Sequence, residues 1–186
     1  LIHTAEQDDR IGSVGPMVKN PDGTVYPSAR RVPSIRTGVG HALFANLWQG
    51  NPWTLKYHDD DGTDPTLRRA GWLSGSCLLV RREAFDSIGG FDDDFFMYFE
   101  DVDLGYRLDK AGWKNIYQPA AKVVHAGAHS TAKSPSLMLQ AHHRSAERFI
   151  KKKYSHPLLW PIRFVATTGL RLRASLASRN FTRQGR

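Results

Sequence analysis

A run of glycines, aromatic residues and acids at 89–104 (GGFDDDFFMYFEDVDL) is the feature that most constrains how this chain can fold. The two glycines are expected to end one helix, and Glu100, Asp101 and Asp103 are expected in the first turn of the next. The helix dipole favours the ionised form of acids at that end, so the three are predicted to stay charged and to act as bases or hydrogen-bond acceptors. Glu100 and Asp103 share one face, whereas Asp101 points about 100° away.

Ordinary capping is the simplest interpretation of acids at the start of a helix. Here the acids follow an aromatic cluster made of Phe95, Phe96, Tyr98 and Phe99. Apolar walls beside carboxylates are more typical of a cleft than of a solvated cap. The sequence therefore favours a carboxylate site.

Composition defines the class of protein. The chain has 186 residues, of which 40% are hydrophobic and 24% charged, which favours one globular domain and excludes disordered, collagen-like and disulfide-rich chains. The single cysteine, Cys77, excludes an internal disulfide and a multi-cysteine zinc site, and it fits a reducing compartment. No signal-peptide pattern follows Leu1, so the chain is expected to be processed or to be a piece of a longer protein.

Charge is distributed unevenly along the chain. Residues 1–133 carry 15 Lys+Arg and 17 Asp+Glu, a net charge of −2, whereas residues 134–186 carry 11 Lys+Arg and only Glu147, a net charge of +10. This asymmetry predicts a near-neutral domain with a basic tail that meets an anionic partner. The apolar stretch at 158–170 contains Arg163 and is shorter than the roughly 20 residues that span a bilayer, so it is expected at a membrane interface at most.

Hydrophobic patterning and turn residues predict alternating strands and helices. Extended segments are expected at 11–18, 25–26, 72–80, 115–117 and 122–125, with a hairpin turn at 20–23. Helices are expected at 35–48, 81–88, 98–111 and 137–154, the end of a helix at 4–10, and a loop at 50–64. Within 72–80, Gly75 and Ser76 leave room for close approach of a ligand or another backbone.

A histidine at the end of an extended run is the second candidate for chemistry. His125 follows Val123 and Val124 and precedes small residues, a position suited to a metal ligand beside a cleft. A lone histidine is more often a structural hydrogen-bond donor, so both interpretations stay open. The acidic run at 59–62 lacks the glycine spacing of a calcium loop, and the adjacent histidines at 142–143 diverge on a helix, so both are predicted to be surface.

Three motifs in order resemble the C-terminal half of family 2 glycosyltransferases: 72–85 (WLSGSCLLVRREAF), 89–113 (GGFDDDFFMYFEDVDLGYRLDKAGW) and 123–131 (VVHAGAHST). The resemblance implies an α/β GT-A fold and an inverting, metal-dependent transfer. Residues 1–133 would form the acceptor-side half of the catalytic domain, and 134–186 a basic helical tail. The nucleotide-binding half, which ends in an Asp-x-Asp strand in this family, is not recognised in the chain.

The same resemblance assigns roles to individual residues. Asp101 matches the general base that deprotonates the acceptor hydroxyl, and Glu100 and Asp103 would orient the acceptor or the base. His125 matches a residue of the shell around a divalent metal, Mg²⁺ or Mn²⁺. The remaining matches would line the sugar site (Trp72, Gly75 and Ser76) or contact the diphosphate (Arg30 and Arg31). Solvated loop arginines are an equal alternative for the last two.

Shorter motifs at 20–31, 51–53 and 141–143 are similar to family members that move L-rhamnose from dTDP-L-rhamnose onto N-acetylglucosaminyl-diphospho-polyprenol in cell-wall linker synthesis. The implied partners are a nucleotide-sugar donor, a polyprenyl-diphosphate-linked sugar acceptor and the inner face of the plasma membrane. The tail would bind there peripherally, from the cytoplasm and by charge, so that salt releases it. Nucleic acid is not expected, because no helix-turn-helix, zinc-finger or RNP signature is present. The alternatives are an inactive fragment or a basic module that binds membrane or nucleic acid.

Overall fold

A computed structural model of the chain describes residues 1–34, 64–126 and 135–171. The predicted helix at 35–48 and nearly all of the predicted loop at 50–64 lie outside these ranges. The chain forms two compact units, one made of residues 1–92 and 100–127 and the other of 93–99 and 128–186. The expected boundary between residues 133 and 134 stays a prediction.

The first unit is built on strand β1 (Ile11–Lys19), which confirms the extended run expected at 11–18. Its residues are buried up to Val18, as in a strand covered on both faces. Two short strands, β2 (Val25–Tyr26) and β3 (Ala29–Arg30), follow it. β2 pairs antiparallel with the end of β1, so the hairpin predicted around residues 20–23 is confirmed. The amide N–H of Gly23 closes its turn by donating to the carbonyl of Asn20 at 2.9 Å.

The region expected to be one strand at 72–80 forms two. Strand β4 (Arg68–Ala70) comes first, followed by β5 (Trp72–Leu73) and β6 (Leu79–Val80). β5 pairs with β3 in a small separate sheet, whereas β6 pairs antiparallel with the first half of β1. The expectation of a continuous strand is wrong because Ser74 Oγ accepts from the backbone N–H of Ser76 at 3.3 Å, which turns the chain between the two sheets.

The last strand, β7 (Lys114–Val124), completes the main sheet in the order β2-β1-β7-β4. It runs parallel to β1 and antiparallel to β4. Two separate runs were expected here, at 115–117 and 122–125, and one strand is found. Gln118 lies opposite Pro16 and Lys122 opposite Met17, so the residues between them bulge out. Pro119 is tolerated inside this bulge because a bulge does not require its missing N–H.

Helix bounds in the first unit follow local stop signals. They are α1 (Ile2–Ala5), α2 (Arg82–Ser87) and α3 (Glu100–Lys110). α1 lies earlier than the helix end expected at 4–10. α2 confirms the helix expected at 81–88, and it ends where Gly89 and Gly90 take φ values of +73° and +76°. α3 begins two residues later than expected because Tyr98 and Phe99 have left-handed φ angles of 64° and 66°.

A buried amide joins four of these elements. Asn115 of β7 accepts from Ser13 Oγ of β1 at 2.7 Å, and its Nδ2 donates to the carbonyls of Gly105 in α3 at 3.0 Å and of Gly71, between β4 and β5, at 3.2 Å. All the polar atoms of its side chain are therefore satisfied inside the core. Leu104 and Leu108 of α3 are buried beside it in an apolar cluster with Ala84 of α2.

The second unit contains α4 (Pro135–Lys153), which confirms the helix expected at 137–154, a 3₁₀ turn (Pro157–Leu159) and a helix, α5, described over 160–171. Ser145 of α4 donates from Oγ to the carbonyl of Met97 at 2.7 Å. Glu147 pairs with Lys151 and Arg171, and the hydrogen bonds from Arg171 are the main cause that lowers the pKa of Glu147 to about 2. Across the described part of the chain, none of the helices has the length and apolarity needed to cross a membrane.

The close approach of α3 to β5 gives the first prediction. A Cβ added at Gly105 would lie 2.8 Å from Cα of Trp72 and 2.9 Å from the carbonyl oxygen of Gly71, and neither backbone atom can rotate away. We expect Gly105→Ala to lower the free energy of unfolding by about 2 kcal/mol, as overpacking does, in a urea titration of the intact protein.

Gly169→Ala is the matched control, because no atom of the described residues lies within 4 Å of a Cβ added at that helical position. It should leave stability unchanged or raise it by up to about 1 kcal/mol. Equal stabilities of the two variants would contradict the close packing of α3 on β5.

Candidate active site

The first turn of α3 carries Glu100, Asp101 and Asp103, as the sequence predicts. The three carboxylates have different surroundings. Asp101 and Glu100 lie at the boundary of buried and exposed surface, whereas Asp103 has no exposed surface at all. The acids are therefore not equivalent, and each has to be considered separately.

Asp101 is held by backbone N–H groups on both of its oxygens. The N–H of Gly75 donates to Oδ2 at 3.1 Å, and the N–H of Val102 donates to Oδ1 at 2.8 Å. Burial nevertheless raises the pKa of Asp101 above the ordinary aspartate value, and these hydrogen bonds only reduce the shift. Burial thus has the larger effect on the pKa of Asp101 and opposes the effect expected from the helix dipole, and the ionised state of Asp101 stays a prediction.

Gly75 approaches Asp101 closely. A Cβ at this position would lie 3.7 Å from Cβ of Asp101, which is ordinary van der Waals contact. The sequence predicts close approach of a ligand or another backbone at Gly75 and Ser76, and at Gly75 the group found in contact is the carboxylate of Asp101. Ser76 Oγ shares a hydrogen bond with Ser74 Oγ at 3.0 Å in the same turn.

The small β3–β5 sheet brings three more of the predicted residues together. Arg30 pairs with Trp72 across the two strands, and the indole N–H of Trp72 donates to the carbonyl of Arg31 at 3.1 Å. Two residues after Trp72 the chain enters the turn that contains Gly75. The structure therefore connects Arg30, Arg31 and Trp72 to the turn that holds Asp101.

Glu100 has an unsatisfied carboxylate oxygen. Its Oε2 is buried and accepts no hydrogen bond from any residue that the structure describes. Burial raises the pKa of Glu100, and the neighbouring charge of Asp101 raises it further. A buried oxygen without a donor is uncommon in folded proteins, so this atom is a candidate for a ligand contact.

Asp103 is a structural residue in this fold. Its Oδ2 accepts from Nε of Arg107, one turn later on α3, at 2.6 Å, and Arg107 also donates to the carbonyl of Ile88 at 2.8 Å. Asp103 has no exposed surface, and the expectation that it orients the acceptor or the base stays a prediction. The i,i+4 spacing of Asp103 and Arg107 is a sequence signal that would have predicted this pair.

His125 lies directly after β7 and is exposed. Its backbone N–H donates to the carbonyl of Lys19 at 2.9 Å and so extends the pairing of β7 with β1. No group of three or more His, Cys, Asp or Glu side chains converges on one point within residues 1–34, 64–126 and 135–171. In the described parts of the chain His125 therefore lacks the partners that a complete metal site needs.

A cleft of about 190 Å³ lies elsewhere in the first unit, between α1, β1 and β6. Its lining includes Ile2, Ile11, Leu79 and Arg81, and it includes none of the residues that the sequence predicts for the site. The candidate site is thus the surface around Asp101 rather than this cleft.

Comparison with known families agrees with the fold. The family described as "Glycosyltransferase like family 2" matches residues 55–147, a range that contains the whole of α3 and β7. The chain belongs to this glycosyltransferase family, and its mixed α/β sheet is that of a partial GT-A domain.

Three individual relatives show which members of the family the chain is similar to. The chain is 47% identical to the N-acetylglucosaminyl-diphospho-decaprenol L-rhamnosyltransferase of Mycobacterium tuberculosis, over all of this chain and 60% of that protein. It is 38% identical to the rhamnosyltransferase WbbL of Escherichia coli over 44% of this chain and 31% of the relative. It is also 32% identical to the O-antigen biosynthesis protein RfbC of Myxococcus xanthus, over 67% of this chain and 9% of that protein. The chain thus spans about 60% of the length of the first of these relatives.

Loss of Arg107 should lower stability far more than loss of Arg69, an arginine of β4 that forms an exposed ion pair with the same helix. Arg107→Ala leaves Asp103 as a buried charge without its cation, and we expect the free energy of unfolding to fall by about 3 kcal/mol or more. Arg69→Ala is the control, since Arg69 pairs with Asp109 of α3 at 2.5 Å and both side chains are about half exposed. That change should cost less than about 1 kcal/mol in the same urea titration.

Two outcomes would contradict this assignment. Equal stability losses for the two arginine variants would mean that burial does not distinguish the pairs. An Arg107→Ala protein of wild-type stability would mean that Asp103 is not held as an ion pair.

Proposed function

We propose that the intact protein containing this chain transfers L-rhamnose from dTDP-L-rhamnose onto N-acetylglucosaminyl-diphospho-polyprenol, with inversion and with Asp101 as the general base. The 47% identity to a mycobacterial enzyme named for this transfer supports the substrate pair. The E. coli relative, also named a rhamnosyltransferase, supports the sugar. The family match does not favour an inactive fragment or a basic binding module.

The observation that carries this proposal is the environment of Asp101. Its two oxygens are oriented by backbone N–H groups of a turn and a helix, so the side chain is fixed without a charged partner. A carboxylate oxygen has two lone pairs, and each backbone hydrogen bond occupies one of them. The remaining lone pairs can receive a proton from an acceptor hydroxyl.

The chemistry proposed for Asp101 is a single displacement. Asp101 takes the proton of the acceptor hydroxyl while that oxygen attacks the anomeric carbon of rhamnose. The bond from this carbon to the diphosphate oxygen breaks, and the nucleoside diphosphate leaves with the electron pair. A base with a pKa raised towards the working pH is better suited to this proton transfer than an ordinary exposed aspartate.

Asp101 is a better base than Glu100 for electrostatic reasons. Two backbone donors stabilise the anion of Asp101, whereas Oε2 of Glu100 has no donor among the described residues and the charge of Asp101 disfavours a second anion. We therefore assign Glu100 to orienting the acceptor, where its buried oxygen can accept a hydrogen bond from a sugar hydroxyl. Trp72, Gly75 and Ser76 are assigned to the sugar site.

Arg30 and Arg31 remain the proposed contacts of the diphosphate, because the β3–β5 sheet connects them to the turn that holds Asp101. Charge-assisted hydrogen bonds from guanidinium groups suit a diphosphate. Such contacts would place the negatively charged part of a substrate next to the sugar site.

A divalent metal, Mg²⁺ or Mn²⁺, is proposed from family membership. When bound, such an ion would neutralise charge on the leaving diphosphate. The described residues offer His125 as one possible ligand, because it is exposed and its ring has no hydrogen-bond partner among them. A single imidazole does not make a metal site, so the displacement proposed for Asp101 does not depend on the ion.

The proposed acceptor carries a polyprenyl chain, which places the reaction at a membrane. We propose that the protein lies on the cytoplasmic face of the plasma membrane as a peripheral protein. The net charge of +10 over residues 134–186 supports contact with anionic headgroups, to which each lysine or arginine near the surface adds about 1 kcal/mol.

The base assignment predicts a selective loss of turnover. In the intact protein, Asp101→Asn should lower kcat about 100-fold or more while donor binding, measured by calorimetry, stays nearly unchanged. Asp109→Asn is the matched control, because Asp109 lies on the same helix in an exposed pair with Arg69. It should transfer rhamnose at the wild-type rate. Near-normal transfer by Asp101→Asn would remove the assignment.

The raised pKa of Asp101 also predicts the shape of the pH profile. The ionised carboxylate is the active form, so kcat/KM should fall as the pH is lowered through the raised pKa, above the ordinary aspartate value of about 3.9. Glu100→Gln should weaken acceptor binding but keep this acid limb. Disappearance of the limb in Glu100→Gln, with its persistence in Asp109→Asn, would transfer the role of base to Glu100.

The histidine assignment is tested by metal binding itself. If His125 is a ligand, His125→Ala should raise the dissociation constant for Mn²⁺, measured from the electron paramagnetic resonance signal of the free ion, by about tenfold or more. His3→Ala, at an exposed histidine of α1, is the control and should leave it unchanged. An unchanged Mn²⁺ affinity in His125→Ala would leave this histidine as a structural residue.

A further inference from the structure

The start of α5 and the 3₁₀ turn before it present large apolar side chains to the outside. Leu158 is 81% exposed, Trp160 60%, Phe164 62% and Val165 66%, and Ile162 between them is half exposed. A helix on the surface of a soluble protein normally turns its polar side chains outward. A contiguous apolar surface of this kind marks an interaction site. We call these five residues the α5 apolar face.

Two polar residues of the same helix are satisfied by backbone carbonyls, whereas Arg171 at its end is exposed and pairs with Glu147. Arg163 donates from Nη1 to the carbonyls of Tyr154 and Ser155 at 3.3 and 3.4 Å. Thr167 is buried, and its Oγ1 donates to the carbonyl of Arg163 at 2.9 Å. The exposed large side chains at the start of α5 are therefore apolar, and the exposed cation lies at its end. We therefore expect the α5 apolar face to bind an apolar partner.

Charge identifies the kind of partner. The α5 apolar face follows directly on the last turn of α4, which contains Lys151, Lys152 and Lys153. Residues 134–186 carry a net charge of +10, so two copies meeting through this face would bring like charges together. An anionic lipid surface instead offers apolar acyl chains for the face and negative headgroups for the lysines.

We propose that the α5 apolar face inserts into the headgroup and upper acyl region of an anionic bilayer, with the basic end of α4 at the headgroups. Trp160 and Phe164 form an edge-to-face pair with ring centroids 6.5 Å apart, and such aromatic side chains suit the membrane interface. This membrane contact deepens the proposed function and rests on it for the lipid-linked acceptor. It also changes the expected mode of attachment from charge alone to insertion.

Insertion and charge respond differently to salt. At about 1 M salt the Debye length is about 3 Å, which suppresses attraction between separated charges but leaves apolar burial intact. Attachment by charge alone would therefore be lost, whereas an inserted face would hold the protein on the bilayer.

The test is sedimentation of the intact protein with vesicles of phosphatidylglycerol and phosphatidylcholine in equal parts, at about 0.1 M and about 1 M NaCl. Wild-type protein should keep a substantial bound fraction at the higher salt. Trp160→Ser combined with Phe164→Ser should weaken partitioning by about tenfold or more at both salt concentrations. Leu67→Ser, at an apolar residue that is 56% exposed in the first unit, is the control and should bind like wild type.

A fluorescence measurement locates the contact. The tryptophan emission of wild-type protein should shift to shorter wavelength on binding vesicles, and Trp160→Phe should bind while losing this shift. A shift that survives in Trp160→Phe would overturn insertion at this residue. Circular dichroism of each variant verifies that the helices are intact, which is expected because the substituted side chains are exposed.

Four further outcomes would overturn the proposal. The first is complete release of the wild-type protein at the higher salt, and the second is binding of the double serine variant as strong as that of the wild type. A lipid-free dimer that the double variant converts to a monomer would assign the face to a second copy. If vesicle binding appears only when the chain is truncated after Arg171, residues 172–186 would be assigned as the segment that covers the α5 apolar face.

Activity separates this proposal from the proposed function. The double serine variant should transfer rhamnose to a short-chain, water-soluble acceptor at the wild-type rate and lose transfer to an acceptor in vesicles. If the wild-type protein transfers rhamnose to neither acceptor, the proposed function fails while the vesicle measurements still decide the membrane contact.

Discussion

The buried amide of Asn115 is the interaction on which the first unit depends. Its oxygen accepts from Ser13 of the central strand, and its nitrogen donates to one carbonyl of α3 and one of the β4–β5 connection. Both carbonyls belong to glycines, Gly105 and Gly71, where backbones approach too closely for a side chain. A buried amide left unsatisfied would be costly, so this arrangement allows only one position of α3 against the sheet.

The position of α3 then determines the chemistry of its first turn. With α3 packed on β5, the turn that follows Trp72 brings the N–H of Gly75 to the carboxylate of Asp101. The next acid on the inward side, Asp103, is fully buried and forms an ion pair with Arg107. One packing constraint thus gives the three acids different surroundings. Asp101 is held by backbone N–H groups, Glu100 has a buried oxygen without a donor among the described residues, and Asp103 forms a buried ion pair.

Local signals in the sequence were enough to predict β1, its hairpin, α2 and α4, because apolar periodicity and turn glycines act over a few residues. The division of 72–80 into β5 and β6 was missed, since pairing partners distant in sequence decide where a strand ends. The motif identifies Asp101, but the direction of its pKa shift could not be predicted from the sequence. That shift depends on burial beneath other elements, whereas the helix dipole, which can be read from sequence, acts in the opposite direction.

Which side chains at the start of α5 are exposed could not be predicted from the sequence either. On a helical wheel an arginine inside an apolar stretch is usually placed at the solvent face, but the carbonyls left open at the end of α4 receive Arg163 and turn it inward. With that charge satisfied, the exposed large side chains at the start of α5 are apolar, and the exposed Arg171 at its end pairs with Glu147. The same break that ends α4 therefore creates the apolar face beside its lysines. The acceptor in the proposed function is both lipid-linked and anionic, so it would require the two properties together, and this end of the second unit has both.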